Sequence, residues 1–222
     1  MTDDQYSPPK QSKGDVALSL AKATLSAVPV VGGPAAELFQ MVIQPPLERR
    51  RAAWMERVAE GLKTLEERGL NVQDLQQNED FVSAVMQASQ IAVRTHKEKK
   101  LEALQNAVLN VASQQAPDDA LQLMFLNFVD VFTDWHLVIL KLFQAPPAQP
   151  GIMAGGLSHV LENSFPTLRG RREFYDTVWR DLYLRGLVNT ENLHVTMSGG
   201  GLAQKRTTEH GDRFLAFIAA PR

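Results

Sequence analysis

The chain contains no cysteine in 222 residues. That removes disulfides, thiolate metal sites and a cysteine nucleophile together, and it fits a reducing compartment. The opening MTDDQYSPPKQSKGD is acidic and then proline- and lysine-containing, whereas a secretory signal needs a basic start and an apolar stretch, so a cytoplasmic location is expected. Long apolar runs are missing too. The stretch 16–43 is interrupted by Lys22, Pro29, Gly32-Gly33-Pro34 and Glu37, short of the ~20 apolar residues a spanning helix needs, and Lys22 alone would attract anionic lipid weakly; no membrane partner is expected. The five histidines include no pair at a spacing that converges metal ligands. Asp134 and His136 stand two apart, which on a helix points them to different sides. Gly32-Gly33 lacks a preceding strand and a P-loop lysine, and Gly199 to Gly201 reads as a hairpin tip. These absences leave no catalytic, cofactor or metal site, and a non-enzymatic protein is expected.

What is present describes a folding chain. Hydrophobic residues make up 44% and charged residues 22%, close to globular averages, and the length allows one large domain or two small ones. Net charge is -2, unevenly spread. From 166 to 222 nine Lys or Arg stand against six acids, giving +3 and leaving -5 for the rest. An acidic body with a mildly basic end is compatible with nucleic-acid contact at that end.

Residues 1–14 offer nothing to pack and read as a disordered tail. Asp15 caps a helix carrying Val16, Leu18, Leu20, Ala23 and Leu25 that Pro29 stops, and a short helix from about Ala35 to Ile43 follows. Pro45-Pro46 predicts a break, with Pro46 at the first position of a long helix whose stripe is Leu47, Trp54, Val58, Leu62 and Leu65 and whose exit is Gly69. Arg49, Arg50 and Arg51 then lie near a helix start, against the macrodipole, with Glu48 and Glu56 as expected ion-pair partners. Phe81, Val85, Ala88 and Ala92 line the next helix. Thr95-His96-Lys97-Glu98 matches a capping box for a further one, striped by Leu101, Leu104, Val108 and Val111 until Ala116-Pro117. Residues 15–115 thus predict an all-helical domain, and 117–222 a second domain.

In that second part Asp118 and Thr133 cap helices, Ala145-Pro146-Pro147 ends the latter, and a proline- and glycine-rich loop runs to Gly156. Ser158 to Ser164 and about Gly170 to Arg185 follow as a short and a longer helix. Leu193, Val195 and Met197 alternate with polar residues as a strand, and Leu202 to Thr207 is expected to return as its partner. Thr208 caps a last helix with Phe214, Leu215 and Ile218. FYDTVWRDLYLRGLV, followed by LHVTMSGGGLAQKRTTEHGDRFLAFI, resembles the recognition-helix and wing segments of winged-helix regulators of the MarR and PadR type. The leucine-x-x-x-Gly-Leu-Val ending, Leu182 to Val188, and the threonine-x-x-glycine start, Thr208 to Gly211, carry the likeness. In the amino-terminal half, VPVVGGPAAELF and PLERRRAAWMERVAEGL are faintly similar to bacterial helical proteins including the Abi-alpha type of phage-defence accessory, which implies no chemistry. The fold expected is mostly α, a helical bundle followed by a winged helix-turn-helix module with a small β-hairpin wing.

On a helical wheel Phe174, Tyr175, Val178, Trp179 and Leu182 face inward, and Arg172, Glu173, Asp176, Thr177, Arg180 and Tyr183 outward. The resemblance makes Arg169, Arg171, Arg172, Thr177 and Arg180 candidate DNA contacts, with Lys205 and Arg206 on the wing. Glu173 and Asp176 weigh against tight binding, because every phosphate repels a carboxylate, and a basic pair on an edge strand also serves simply to discourage aggregation. Two functions fit: a homo-oligomeric regulator that binds duplex DNA, or an adaptor, such as an accessory of a phage-defence system, whose winged helix meets a protein partner.

Overall fold

The computed structural model describes residues 34–222; the expected tail over 1–14, the helix opening at Asp15 and Gly32-Gly33 lie outside the described residues. The architecture is mostly helical with one small two-stranded antiparallel sheet. The chain divides into two compact units, one ending at Gln114 and one from Gln115 to Ala220. Among the described residues no single helix is long and apolar enough to cross a membrane.

The first unit holds three long helices, α1 (Pro34–Glu67), α2 (Glu79–Arg94) and α3 (Glu98–Ala112), with a 3-10 turn, Val72–Gln77, between the first two. Trp54, Val58, Leu62 and Leu65 are buried along α1, as their spacing predicts, and α1 packs on α2 and α3, which carry buried alanines. The Trp54 indole donates to Ser89 Oγ at 2.9 Å, so the largest ring in this core leaves no polar atom unsatisfied. Asn71 and Asn78 accept from Gln73 and Phe81 amides at 3.2 and 3.0 Å and open the 3-10 turn and α2. Gly69 supplies the left-handed exit of α1, at φ 103°.

Three local expectations are corrected here. Pro45 and Pro46 do not break the chain: they lie inside α1, which is continuous. The two missing amides orphan the carbonyls of Met41 and Val42, residues 71% and 56% exposed, so that the lost bonds lie at the surface, where leaving them unmade costs little. Arg49, Arg50 and Arg51 therefore sit in mid-helix and meet no positive helix end; Arg50 instead donates to the Val93 carbonyl at 3.4 Å, at the carbonyl-rich end of α2. Thr95 accepts from the Lys97 amide at 3.1 Å, making a local turn rather than a capping box, and α3 starts at Glu98, whose carboxylate pairs with Arg57 at 2.5 Å.

The second unit holds α4 (Asp119–Val131), α5 (Asp134–Gln144), β1 (Ala154–Gly155), α6 (Leu157–Ser164), a 3-10 turn (Pro166–Leu168), α7 (Arg172–Leu184), β2 (Met197–Ser198), the one-turn α8 (Gly199–Leu202) and α9 (Glu209–Phe217). Its core is aromatic. Phe125 packs on Phe214 and Phe217 with centroids 5.4 and 5.7 Å apart, and Phe143 meets Trp179 edge-on at 4.8 Å. Such geometry adds to the area these rings remove from water.

The expected hairpin is not formed. Met197–Ser198 pairs antiparallel with Ala154–Gly155, and the three glycines make α8, where Ser198 Oγ accepts from the Gly201 amide at 3.2 Å. Gly199 is required there because a Cβ would overlap the Ile152 carbonyl. Of the expected return strand only the end pairs, Thr207 with Val188, and Asn189 donates to the Arg206 carbonyl at 2.9 Å. The segment 189–194 runs back along α7: the Thr190 carbonyl accepts from Trp179 Nε1 at 2.8 Å and His194 reaches Asp176.

Candidate nucleic-acid interface

α7 is fixed in place by its two ends. Gly170, at φ 74°, turns the chain out of the 3-10 turn into Arg171, the residue that precedes the first helical turn. At the other end Gly186, at φ 69°, releases the chain toward α9. There the two motif segments meet. Thr208 donates its hydroxyl to the Gly186 carbonyl at 2.6 Å and its amide to the Leu187 carbonyl at 3.1 Å, while accepting from Gly211 N at 3.0 Å. A Cβ on Gly211 would overlap the Leu187 carbonyl, so only glycine lets α9 start this close. The threonine-x-x-glycine pattern is thus a weld between α7 and α9, not a ligand site.

Tyr175, Val178, Trp179 and Leu182 are buried, which leaves Glu173, Thr177, Arg180 and Leu184 along the opposite, exposed line. Phe174, expected inside, is half-buried beneath the Arg171 guanidinium, 4.4 Å from the ring centroid. Arg169 is exposed just before α7, Arg172 lies at its start with Nε 3.4 Å from Asp176 Oδ2, and Arg180 is exposed without a partner among the described residues. The Thr177 hydroxyl donates to the Glu173 carbonyl at 2.8 Å. Asp176 also takes His194 Nε2 at 2.8 Å, so this acid is turned to its own protein. Asp181 lies 3.4 Å from His136 Nε2.

The wing pair is placed otherwise than expected. Arg206 is half-buried, its guanidinium donating to the Gly201 carbonyl and its amide to the Phe143 carbonyl at 2.8 Å. It ties α8 to the core and is not presented to a ligand. Lys205 pairs with Asp212 at 2.5 Å, and Asp212 also accepts from Thr207 Oγ1 at 2.6 Å and Gln144 at 3.2 Å. Burial pushes the Asp212 carboxyl up, but the donors from Lys205, Thr207 and Gln144 outweigh it and hold the group below the usual range.

Thr133, His136 and Asp181 imitate a hydrolytic triad in order: Thr133 Oγ1 is 2.9 Å from His136 Nδ1, and His136 Nε2 faces Asp181. The Thr133 amide, however, donates to the same Nδ1 at 3.1 Å. The ring thereby closes a capping box for α5, and it is buried, stacked on Phe132 at 4.6 Å, with no open face for a substrate. His136 therefore turns to Asp181 on α7 and not to Asp134. Among the described residues no three His, Asp or Glu side chains gather as a metal site.

Sequence reasoning missed His194 and the His136 cap. The second had a local signal, Thr133-x-x-His136, in which histidine takes the place of the glutamate of a capping box; the first had none, since its partner lies on another element. No protein-family model, curated protein or solved structure matches the chain.

Proposed function

We propose that the second unit is a winged helix-turn-helix variant of the MarR/PadR kind that binds duplex DNA through the start and outer line of α7, and that the chain is a non-enzymatic transcriptional regulator. The order α5, β1, α6, α7, β2, with β1 antiparallel to β2, supports the fold reading; segment 189–194 would be a wing folded down on its helix. One observation carries the functional reading. Arg169, Arg171, Arg172 and Arg180 are exposed along one stretch, while Asp176 is engaged by Arg172 and His194 and Asp181 by His136, leaving Glu173 as the exposed acid on the outer line. Arg171 stacked on Phe174 still offers its edge donors to a phosphate. The first unit carries an exposed apolar stripe on α1, Leu38, Met41 and Val42, which supports pairing with a second copy and hence two α7 helices per duplex.

A protein-binding adaptor is the second reading. Leu184, at the end of the outer line, is 73% exposed, a residue suited to a protein groove, and no projecting hairpin grips the DNA backbone. Band shift of the full chain with duplex at about 50 mM salt separates the two, because electrostatic attraction is least screened there. The regulator reading expects a shift, and Arg180→Ala to cost about 1–3 kcal/mol on a preferred sequence. Absence of any shift leaves the adaptor.

A further inference from the structure

The polar network beside α7 places a titratable ring next to a candidate phosphate contact. Arg172 Nε and His194 Nε2 approach the two oxygens of one carboxylate, Asp176, at 3.4 and 2.8 Å. The loop holds His194 in place: its amide donates to Asn192 Oδ1 at 2.7 Å, and its ring lies tilted against Tyr175 with centroids 6.1 Å apart. The ring keeps 24% of its surface open to solvent, so a second proton has a route to Nδ1. Charged and titratable neighbours come from α7, from the loop and from α6, whose His159 accepts from the amide of Gly156, a residue packed against the His194 backbone. α7 contributes Asp176, Arg172 and Tyr175, the loop itself contributes the exposed Glu191, and α6 contributes Glu162, already held by the Tyr175 hydroxyl at 2.8 Å. Burial, the Glu162 bond and the Glu162 charge push the Tyr175 phenol up to about 12, so it remains a neutral donor while histidine changes charge.

With His194 neutral, the charges of Arg172 and Asp176 cancel. With His194 protonated, two cations share one carboxylate and the trio carries a surplus positive charge. A phosphate arriving at Arg172 meets an offset charge in the first state and an unspent one in the second.

We infer that His194 is a positioning residue whose charge sets how strongly Arg172 holds a phosphate, so that duplex binding strengthens as the pH is lowered. The inference rests on the DNA-binding reading of α7.

The test uses the full chain and a fluorescein-labelled duplex of random sequence, titrated at about pH 5.8 and about pH 7.8 over a salt series. Wild type is expected to bind roughly threefold to tenfold tighter at the lower pH, with a log-log salt slope steeper by about 0.9, equivalent to one further phosphate neutralised. His194→Gln keeps a side-chain amide beside Asp176 but does not titrate, and abolishes that gap. Asp176→Asn removes the offsetting acid and binds at the higher pH as wild type does at the lower. A full pH gap retained in H194Q sinks this inference alone. A second readout needs no DNA: the Arg172 Nε–H resonance in ¹⁵N-labelled protein should move between the two pH values in wild type and stay still in H194Q. A wild-type resonance that does not move overturns the coupling even where duplex binds. If it moves and no duplex binds at about 50 mM salt, the inference falls together with the DNA reading.

Discussion

The two units bury their cores by different means. In the first, small residues let helices approach: Ala84, Ala88 and Ala92 of α2 and Ala103 and Ala107 of α3 are buried, and Gly61 of α1 lies so close to Leu109 that a Cβ would force it aside. Trp54 is its one large buried aromatic among the described residues. In the second, phenylalanines from α4, α5 and α9 and Trp179 of α7 fill the centre. Polar links between residues far apart in sequence occur in both units, Trp54 with Ser89 and Arg57 with Glu98 in the first, His136 with Asp181 and Gln144 with Asp212 in the second. The units thus differ in what fills their centres, small residues in one and aromatic rings in the other.

Removing the anchor of each core is the strongest way to break this contrast. Trp179→Ala and Trp54→Ala should each cost roughly 3–5 kcal/mol, the usual penalty for a truncated buried aromatic. Hydrogen exchange should show W179A loosening α4 to α9 while α1 to α3 stay protected, and W54A the reverse. Simultaneous loosening of both sets in either variant would mean that the units do not stand apart. Gly211→Ala should come next, at about 1–3 kcal/mol for overpacking against the Leu187 carbonyl, read as a lowered denaturant midpoint of the second unit alone; an unchanged midpoint would show that α9 starts with room to spare.

A smaller effect sharpens the contrast through pH. His210 packs on Phe125 at 5.1 Å, and burial, then Arg213, holds its imidazole below the ordinary 6.5. The unfolded chain therefore binds the proton first as pH falls. The contribution is fully present above the unfolded value, declines as pH drops below it, and is exhausted below the folded value. His210→Gln should flatten that part of the stability–pH curve for the second unit, and an unaltered curve would place the titration elsewhere.

What was legible in the sequence cuts across the two units and follows whether a feature is local. The stripe from Trp54 to Leu65, the caps at Asp118 and Thr208 and the exits at Gly69 and Gly186 are local, since each residue acts within a turn of its own position. The continuity of α1 was hidden, because the rule that proline breaks a helix assumes that the orphaned carbonyls are costly, and Met41 and Val42 are exposed. β1 is two residues without alternation, so no periodicity could announce it, and its pairing with Met197–Ser198 rather than a hairpin partner is a tertiary choice. The wheel placed Tyr175, Val178, Trp179 and Leu182 inside and Arg172, Glu173, Thr177 and Arg180 outside as found, whereas Phe174, expected inside, and Asp176 and Tyr183, expected outside, are half-buried. It could not show that Asp176 is occupied by His194, nor that Arg206 turns inward and Lys205 pairs with Asp212, and the last two facts take the wing pair out of the expected interface and leave its helix part.

The confinement of the proposed interface to α7 is the central claim, and the salt dependence of duplex binding tests it most directly. Full chain, an Arg169→Ala/Arg172→Ala/Arg180→Ala triple variant and Lys205→Ala are titrated against one duplex from about 50 to 200 mM salt. The triple variant is expected to flatten the log-log slope by about 0.9 for each phosphate that an arginine no longer neutralises, while K205A, whose ammonium serves Asp212, leaves it unchanged. A slope flattened by K205A and untouched by the triple variant would return the interface to the wing and contradict its placement on α7.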